Sequence, residues 1–211
     1  MTEPAALVFI VDDDDQVRRA LARLVRSAGY RAETFASAGA FLSRADAPGG
    51  PACVLLDLQL PDASGLELQH EVNATLPVVF VTGHGDIGTT VIAMKAGATD
   101  FLPKPVSDAA LLDAVARALE CAAQMDARRR ELADIRARLD RLTPREREVM
   151  ALVVTGRLNK QVAGDLGIAE KTIKIHRARV MEKMQARSLA DLIRLADKAG
   201  MGAGECPRKV H

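Results

Sequence analysis

Five short strand-like runs alternate with amphipathic stretches through the first 120 residues of this 211-residue chain. The runs are Leu7–Val11, Arg31–Phe35, Cys53–Leu56, Val78–Val81 and Phe101–Leu102, and the helical patterns are Gln16–Ser27, Ala38–Ser43, Gly65–Val72, Thr89–Ala96 and Asp108–Glu120. Five βα units of this length predict a parallel sheet with helices on both faces. The run Leu7–Val11 is apolar at every position, as expected of a strand buried on both sides. The pattern therefore predicts a doubly wound (βα)5 fold, whose ligand crevice lies at the carboxyl ends of the strands.

The formal net charge of +1 conceals two halves of opposite charge. Residues 1–120 hold 9 Lys/Arg against 16 Asp/Glu, a balance of −7, whereas residues 121–211 hold 20 against 12, a balance of +8. An acidic half joined to a basic half indicates two domains with different partners, and basic domains often bind phosphate backbones. A basic helical surface taken alone is more often simply solvated.

Composition excludes several classes of protein. A hydrophobic content of 48% and a charged content of 27% fit a globular protein rather than a disordered or collagenous one. The apolar runs are far shorter than the roughly 18 residues that span a bilayer, and Met1–Pro4 lacks the basic region of a secretory signal. Cys53, Cys121 and Cys206 form no CxxC pair and are interpreted as reduced thiols. We therefore expect a cytoplasmic protein with no membrane partner.

Polar residues stand at the ends of four of the five strands. Asp12 and Asp13 follow the first strand, Asp57 the third, Thr82 the fourth and Lys104 the fifth. One acid after a strand is usually a helix cap, and Asp14 or Asp15 suits that role before the first helix. Three acids on one edge repel each other and need a cation, for which Mg²⁺ is suited.

Such an edge has a specific chemistry. A carboxylate can attack phosphorus to give an aspartyl phosphate, while a metal ion and a lysine neutralise the phosphoryl oxygens. Asp57 is the better nucleophile if Asp12 and Asp13 hold the metal. If the first strand ends one residue later, Asp13 and Asp14 take the metal roles instead.

Four segments in this half resemble the receiver domain of two-component response regulators. They are Phe9–Asp13, Val54–Asp62, Val81–Gly85 and Phe101–Pro105, and their order and separations fit the family across residues 5–122. The resemblance implies a flavodoxin-like fold and a histidine kinase that phosphorylates Asp57. It further implies Mg²⁺ bound by the side chains of Asp13 and Asp57 and the Gln59 carbonyl, with Asp12 acting largely through water.

The same resemblance implies roles for four residues beyond the acids. Lys104 would bind a phosphoryl oxygen, Thr82 would donate a hydrogen bond to the phosphoryl group, and Pro105 would follow a cis peptide bond. Phe101 would be the aromatic residue that turns inward on phosphorylation. Taken by themselves, Thr82 is an ordinary strand-end threonine, Phe101 a core aromatic and Lys104 a surface lysine.

A continuous apolar pattern joins the two halves. Its members are Leu111, Val115, Leu119, Ala122, Leu132, Ile135, Leu139 and Leu142. No Gly or Pro interrupts residues 106–143, so one long helix is predicted through a linker at 123–141. Fewer than three clean heptads leave open both a coiled coil and a solvated, charged linker.

Four helical segments follow the linker. They are Arg145–Val154, Lys160–Leu166, Glu170–Met184 and Leu189–Ala199. Thr143, Pro144 and Glu146 form a helix start with a capping box. The short turn Gly167–Ala169 gives helix-turn-helix spacing, and the next helix presents Lys171, Lys174, Ile175 and Arg177 as an exposed row while Ile173 and Val180 face inward. We expect an all-α domain over 142–200 and a flexible tail over 201–211.

Residues 142–199 are similar to the LuxR-type DNA-binding domain. The resemblance rests on Leu142–Val149, Asn159–Ala163 and Lys171–Met184, and the whole chain resembles a FixJ-type member of the NarL/FixJ response regulators. The helix after the turn would then enter the major groove. The candidate DNA contacts are Asn159, Lys160, Lys171, Thr172, Lys174, Ile175, Arg177 and Arg179. Ala169 stands where the family usually has a capping Ser or Thr, a loss that should cost about 1 kcal/mol.

The resemblance implies a transcription regulator, more often an activator, and not an enzyme. Its implied partners are a sensor histidine kinase, promoter DNA, RNA polymerase and a second copy of the chain, which would pair through helix four, strand five and helix five. One alternative is an Mg²⁺-dependent phosphohydrolase, although Asp12 and Asp13 lack the Asp-x-Asp spacing expected for it. Another is a constitutive DNA-binding protein whose receiver does not switch.

Overall fold

The computed structural model describes residues 6–44, 48–83 and 86–201. The chain divides into two compact units, with the boundary between Ala127 and Arg128. The predictions made for Met1–Pro4, for Cys206 and for the tail beyond Met201 lie outside the described residues, as do His84 and Gly85 of the third receiver segment.

The first unit is the predicted doubly wound α/β fold. Its strands are β1 (Leu7–Val11), β2 (Arg31–Phe35), β3 (Ala52–Leu56), β4 (Val78–Thr82) and β5 (Asp100–Pro103), and its helices are α1 (Asp15–Ser27), α2 (Ala38–Leu42), α3 (Gly65–Val72), α4 (Ile87–Lys95) and the first part of α5 (Asp108–Asp140). The strands are parallel in the order β2-β1-β3-β4-β5. Apart from α5, these bounds differ from the predicted ones by at most two residues.

The central strands are buried because two apolar layers cover the sheet. Along β1, Phe9 packs into a layer with Phe80, whereas Ile10 packs into the opposite layer with Leu55 and Leu111. Successive side chains of a strand point to opposite faces, so every position of β1 needs an apolar residue. This explains why Leu7–Val11 carries no polar residue.

Helix α5 is one continuous helix of 33 residues, as the sequence predicts. Leu111 and Val115 are fully buried in the first unit. Ile135 and Leu139, at the other end of the helix, are 1% and 8% exposed in the core of the second unit. The apolar periodicity at the two ends of α5 therefore reflects packing within each unit, whereas residues 127–131 between these ends are exposed.

The second unit is all-α, as predicted. It contains α6 (Pro144–Val153), α7 (Asn159–Leu166), α8 (Glu170–Met184) and α9 (Leu189–Lys198), together with the last turns of α5. Thr143 and Glu146 form the capping box of α6. Gly167 ends α7 in the left-handed conformation (φ 63°), which Gly adopts without a steric penalty, and so permits the tight turn into α8.

In the described ranges no helix, α5 included, combines the length and the apolarity needed to cross a membrane. Cys53 and Cys121 are free thiols. Burial raises the pKa of the Cys53 thiol to about 12, so this sulfur stays protonated and acts as a small core residue.

Candidate phosphoacceptor site and nucleic-acid interface

Three carboxylates meet at the carboxyl edge of the sheet. Asp12, Asp13 and Asp57 each offer an oxygen, and these oxygens lie within 4.8 Å of one another. Asp12 is 2% exposed and Asp57 is 9% exposed, whereas Asp13 lies on the surface. Lys104 Nζ lies between the two buried acids, 2.6 Å from Asp12 Oδ2 and 2.7 Å from Asp57 Oδ2.

Strand register brings these acids together. Val11 of β1 is paired with Leu56 of β3, so Asp12 and Asp57 leave the sheet side by side. The Asp57 amide donates to the Val11 carbonyl (2.9 Å), which extends the ladder to the acid itself. β1 ends at Val11 and Asp14 caps α1, so the alternative in which Asp14 joins the metal ligands does not match this register.

Burial and pairing act against each other in the pocket. Burial raises the pKa of Asp12, and the hydrogen bonds from Lys104 and from the Asp14 amide offset this only in part. Burial also lowers the pKa of Lys104, but its hydrogen bonds to Asp12 and Asp57 outweigh burial, so that pKa lies above its ordinary value. Lys104 therefore remains an ammonium group at neutral pH.

The loop between β3 and α3 depends on a glycine that the sequence analysis did not single out. A Cβ at Gly65 would lie 2.4 Å from the Asp57 carbonyl oxygen and 2.9 Å from Leu58 Cα. The Gly65 amide instead donates to the Leu58 carbonyl (2.8 Å), and Gln59 pairs with Ser64 across the loop. Gly65 thus allows the loop to fold back beside Asp57. The Ser-Gly pair at the start of α3 was the available signal.

Asp62 connects the same loop to the start of α2. Its carboxylate accepts hydrogen bonds from the backbone amides of Ala38 (3.0 Å) and Gly39 (2.8 Å), at the start of α2. The hydrogen bond from the Gly39 backbone amide is the largest cause of the lowered pKa of Asp62. No local sequence pattern links Asp62 to a residue 24 positions earlier, so this contact could not be predicted.

The remaining predicted receiver residues lie around the pocket. Thr82 ends β4 and is fully buried, and its carbonyl accepts from the Lys104 amide (2.8 Å). Phe101 is half-buried, with its ring centroid 5.9 Å from that of Phe80. The peptide bond between Lys104 and Pro105 is cis. Gln59 is exposed, and its backbone amide donates a hydrogen bond to Asp57 Oδ1 (3.3 Å).

The basic surface of the second unit lies on α8. Lys171, Lys174, Ile175 and Arg179 are exposed and Thr172 is half-buried, while Ile173 and Val180 are buried beneath them. Lys160 is exposed at the start of α7. Ile175 is 47% exposed, which places an apolar side chain among cations.

Arg177 departs from the predicted exposed row. It is half-buried, and its Nη1 donates to Asn159 Oδ1 (3.1 Å), which links α8 to α7. The reason is helical geometry: at 100° per residue, Arg177 lies well to the α7 side of the face shared by Lys171 and Ile175.

An ion pair with a buried carboxylate anchors the far end of α8. Glu146 of α6 is 2% exposed and accepts from Lys183 Nζ (2.6 Å) and from the Thr143 amide (2.8 Å). Burial raises the pKa of Glu146, but the bonds from Lys183 and Thr143 outweigh it and leave that pKa below its ordinary value. At its other end, α8 begins at Glu170, and the preceding residue, Ala169, provides no side-chain cap.

A receiver-type acidic edge followed by a helix-turn-helix unit is the architecture of response regulators that act on DNA. Family models agree: residues 8–116 match the response regulator receiver domain and residues 140–196 match the bacterial regulatory proteins of the luxR family. The chain therefore belongs to the two-component response regulators of FixJ type, which join a receiver to a LuxR-type DNA-binding domain and regulate transcription.

Individual relatives match almost the whole chain. Nodulation protein W of Bradyrhizobium diazoefficiens is 48% identical over 201 residues, which cover 94% of this chain and 88% of the relative. Transcriptional regulatory protein FixJ of Rhizobium meliloti is 43% identical over 199 residues, covering 92% and 97%. The solved structure of response regulator StyR is 45% identical in sequence and has a TM-score of 0.77. This match covers 92% of this chain and 100% of the StyR chain.

Proposed function

We propose that a sensor histidine kinase phosphorylates this protein on Asp57, and that two phosphorylated copies pair and activate transcription at a promoter. The observation that carries the proposal is that Asp57 accepts a hydrogen bond from Lys104 Nζ at 2.7 Å and lies beside the carboxylates of Asp12 and Asp13. One nucleophile, one cation and two further metal-type ligands are thus brought together from three strand ends. We place this activity in the cytoplasm, where promoter DNA is found.

Phosphorylation would form a bond between an Asp57 oxygen and phosphorus while the bond from phosphorus to the kinase histidine nitrogen breaks. The Asp57 carboxylate acts as the nucleophile in this step. Lys104, held as an ammonium by its two carboxylate partners, supplies positive charge where the phosphoryl oxygens arrive. Thr82, at the end of the neighbouring strand, is the candidate hydroxyl donor to the phosphoryl group.

The donor set fits Mg²⁺. Carboxylate oxygens with access to water suit this ion, and the cluster combines two buried acids with an exposed one. Asp13, Asp57 and the Gln59 carbonyl would hold the ion, with Asp12 acting largely through water. When bound, Mg²⁺ would neutralise charge on the phosphoryl oxygens.

Helix α4 supports the proposed pairing of two copies. Ile87 is 85% exposed and Ile92 58%, and Val91 and Met94 are more than 40% exposed. Ala93 is the buried residue of this helix. A phosphoryl group adds up to about two negative charges beside Thr82 and Lys104. We propose that their response, together with movement of Phe101, changes the α4–β5–α5 surface so that it pairs with its copy.

The basic face of α8 supports the DNA-binding half of the proposal. Cations at Lys171, Lys174 and Arg179 suit phosphate contacts, and exposed Ile175 suits an apolar contact with a base edge. Paired chains would present two such helices to a two-fold site. Recruitment of RNA polymerase would then follow at the promoter.

Recovery of genomic DNA fragments by the purified protein tests the proposal. Binding is compared with and without Mg²⁺ and beryllofluoride, a phosphoryl mimic, and in Asp57→Ala. We expect specific fragments to be enriched only with the mimic and not by the variant. Enrichment that ignores the mimic would favour the constitutive DNA-binding alternative, and persistent phosphorylation of Asp57→Ala at full stoichiometry would exclude Asp57 as the acceptor.

A further inference from the structure

Arg18, in the first turns of α1, reaches from the helix to the main chain of the acidic pocket. Its side chain is only 14% exposed. Nη1 donates to the Asp12 carbonyl oxygen (2.6 Å), and Nη2 donates to Asp15 Oδ1 (3.1 Å). One guanidinium therefore joins a backbone oxygen of the pocket to a carboxylate of the helix that follows.

The Asp12 carbonyl needs such a partner because it lies just past the end of β1. The last ladder bond from β3 is taken by Val11, whose carbonyl accepts from the Asp57 amide. The Asp12 amide donates to Phe35, which leaves the Asp12 carbonyl beyond both ladders. A buried carbonyl without a donor would be costly, and the planar fork of arginine can serve this carbonyl and Asp15 together.

Arg19 supplies a natural comparison. It is adjacent in sequence, pairs with the same carboxylate at Asp15 Oδ2 (2.7 Å), and is 76% exposed. In the contacts of the described residues it reaches Asp15 but not Asp12. The two arginines thus share charge, neighbourhood and one partner, and they differ in the bond to the Asp12 carbonyl.

We propose that Arg18 is a positioning residue of the phosphoacceptor site, which fixes the main chain between Asp12 and Asp13 so that both carboxylates face Asp57. The inference rests on the proposed function, because it assigns Arg18 to the Mg²⁺ site described there. Groups that orient metal ligands typically change metal affinity by 10- to 100-fold when removed.

Charge and position predict effects of opposite sign. A cation beside an acidic cluster repels Mg²⁺, so if Arg18 acted only through its charge, its removal would strengthen Mg²⁺ binding. If it holds the Asp12–Asp13 main chain, its removal weakens binding. Arg18→Lys keeps the charge but cannot make the forked contact, and therefore isolates the positioning effect.

The test is titration calorimetry of Mg²⁺ on the full-length, unphosphorylated protein, with the melting temperature Tm measured for each variant. The variants are the matched pairs Arg18→Lys with Arg19→Lys and Arg18→Gln with Arg19→Gln. We expect both Arg18 variants to bind Mg²⁺ about tenfold more weakly. We expect both Arg19 variants to remain within about twofold of the wild type, since Arg19 does not touch Asp12.

Each other outcome overturns the proposal in its own way. Equal Mg²⁺ affinity in the two lysine variants removes the positioning role, as does tighter binding by Arg18→Gln. A lower Tm with unchanged Mg²⁺ affinity reduces Arg18 to a structural role. Failure of the wild type itself to bind Mg²⁺ overturns the proposed metal site, which separates that failure from the failure of Arg18.

Discussion

Ile135→Ala tests whether the end of α5 belongs to the core of the second unit. Sequence analysis assigned this position to a linker at 123–141, yet Ile135 is 1% exposed and packs in the core with Val149 and Leu192. The substitution removes three carbon atoms, which at about 0.8 kcal/mol for each buried methylene is roughly 2.4 kcal/mol. A residual cavity increases the loss, and the higher helix propensity of Ala returns about 0.4 kcal/mol.

We therefore expect the free energy of unfolding of the second unit to fall by about 3 kcal/mol, within the range observed for such truncations. Urea denaturation followed by far-ultraviolet circular dichroism measures the loss. The chain has one tyrosine and no tryptophan, and Tyr30 packs against the core of the first unit. Its fluorescence consequently separates an effect on the first unit from an effect on the second.

Ile92→Ala is the matched control. It removes the same three carbon atoms from a side chain that is 58% exposed on α4, and we expect a change within about 0.5 kcal/mol. If Ile135→Ala also stays within that limit, the end of α5 is a solvated linker and the assignment of Ile135 to the core is wrong.

Three further predictions concern the two sites. Gly65→Ala should abolish beryllofluoride binding, because its Cβ would lie 2.4 Å from the Asp57 carbonyl oxygen; calorimetry checks this, and unchanged binding would show that the loop relaxes. The Glu146 pKa lies below its ordinary value of 4.5, so its stabilisation of the second unit is present above about pH 4.5 and is lost as the pH falls through the folded-state pKa. Urea titrations at several pH values should show this loss and should show it reduced in Glu146→Gln. Exposed Ile175 suits a thymine methyl group, so replacing one operator thymine by uracil should weaken binding by the wild type about fivefold but leave Ile175→Ala unaffected; equal weakening in both proteins would remove Ile175 from that contact.

The parts of the fold that the sequence predicts are those set by short-range patterns. Leu7–Val11 is apolar at every position because apolar layers cover both faces of the sheet. Helix α3 begins at Gly65 because Ser64 and Glu67 form a capping box. Each signal lies within a few residues of the element that it specifies. The bounds of α3 and α8 were therefore predicted to the residue.

Long-range contacts were beyond that reasoning. The periodicity that contains Ile135 predicts a helix, but nothing in it shows that Ile135 belongs to the core that contains Val149 and Leu192 rather than to an interface with a second chain. In the same way Asp62 binds amides that lie 23 and 24 residues away, and such a pairing depends on how the chain folds rather than on any local motif.

The same contrast between short-range sequence patterns and long-range contacts applies to the candidate site. The sequence identifies the acids by their positions after strands, since the register of β1 against β3 places Asp12 beside Asp57. The sequence analysis did not identify Arg18 or Gly65, because they lie against the backbone carbonyls of Asp12 and Asp57, and a backbone carbonyl is the same in every residue. Residues that carry the chemistry can therefore be found from the sequence, whereas those that fix its geometry require the structure.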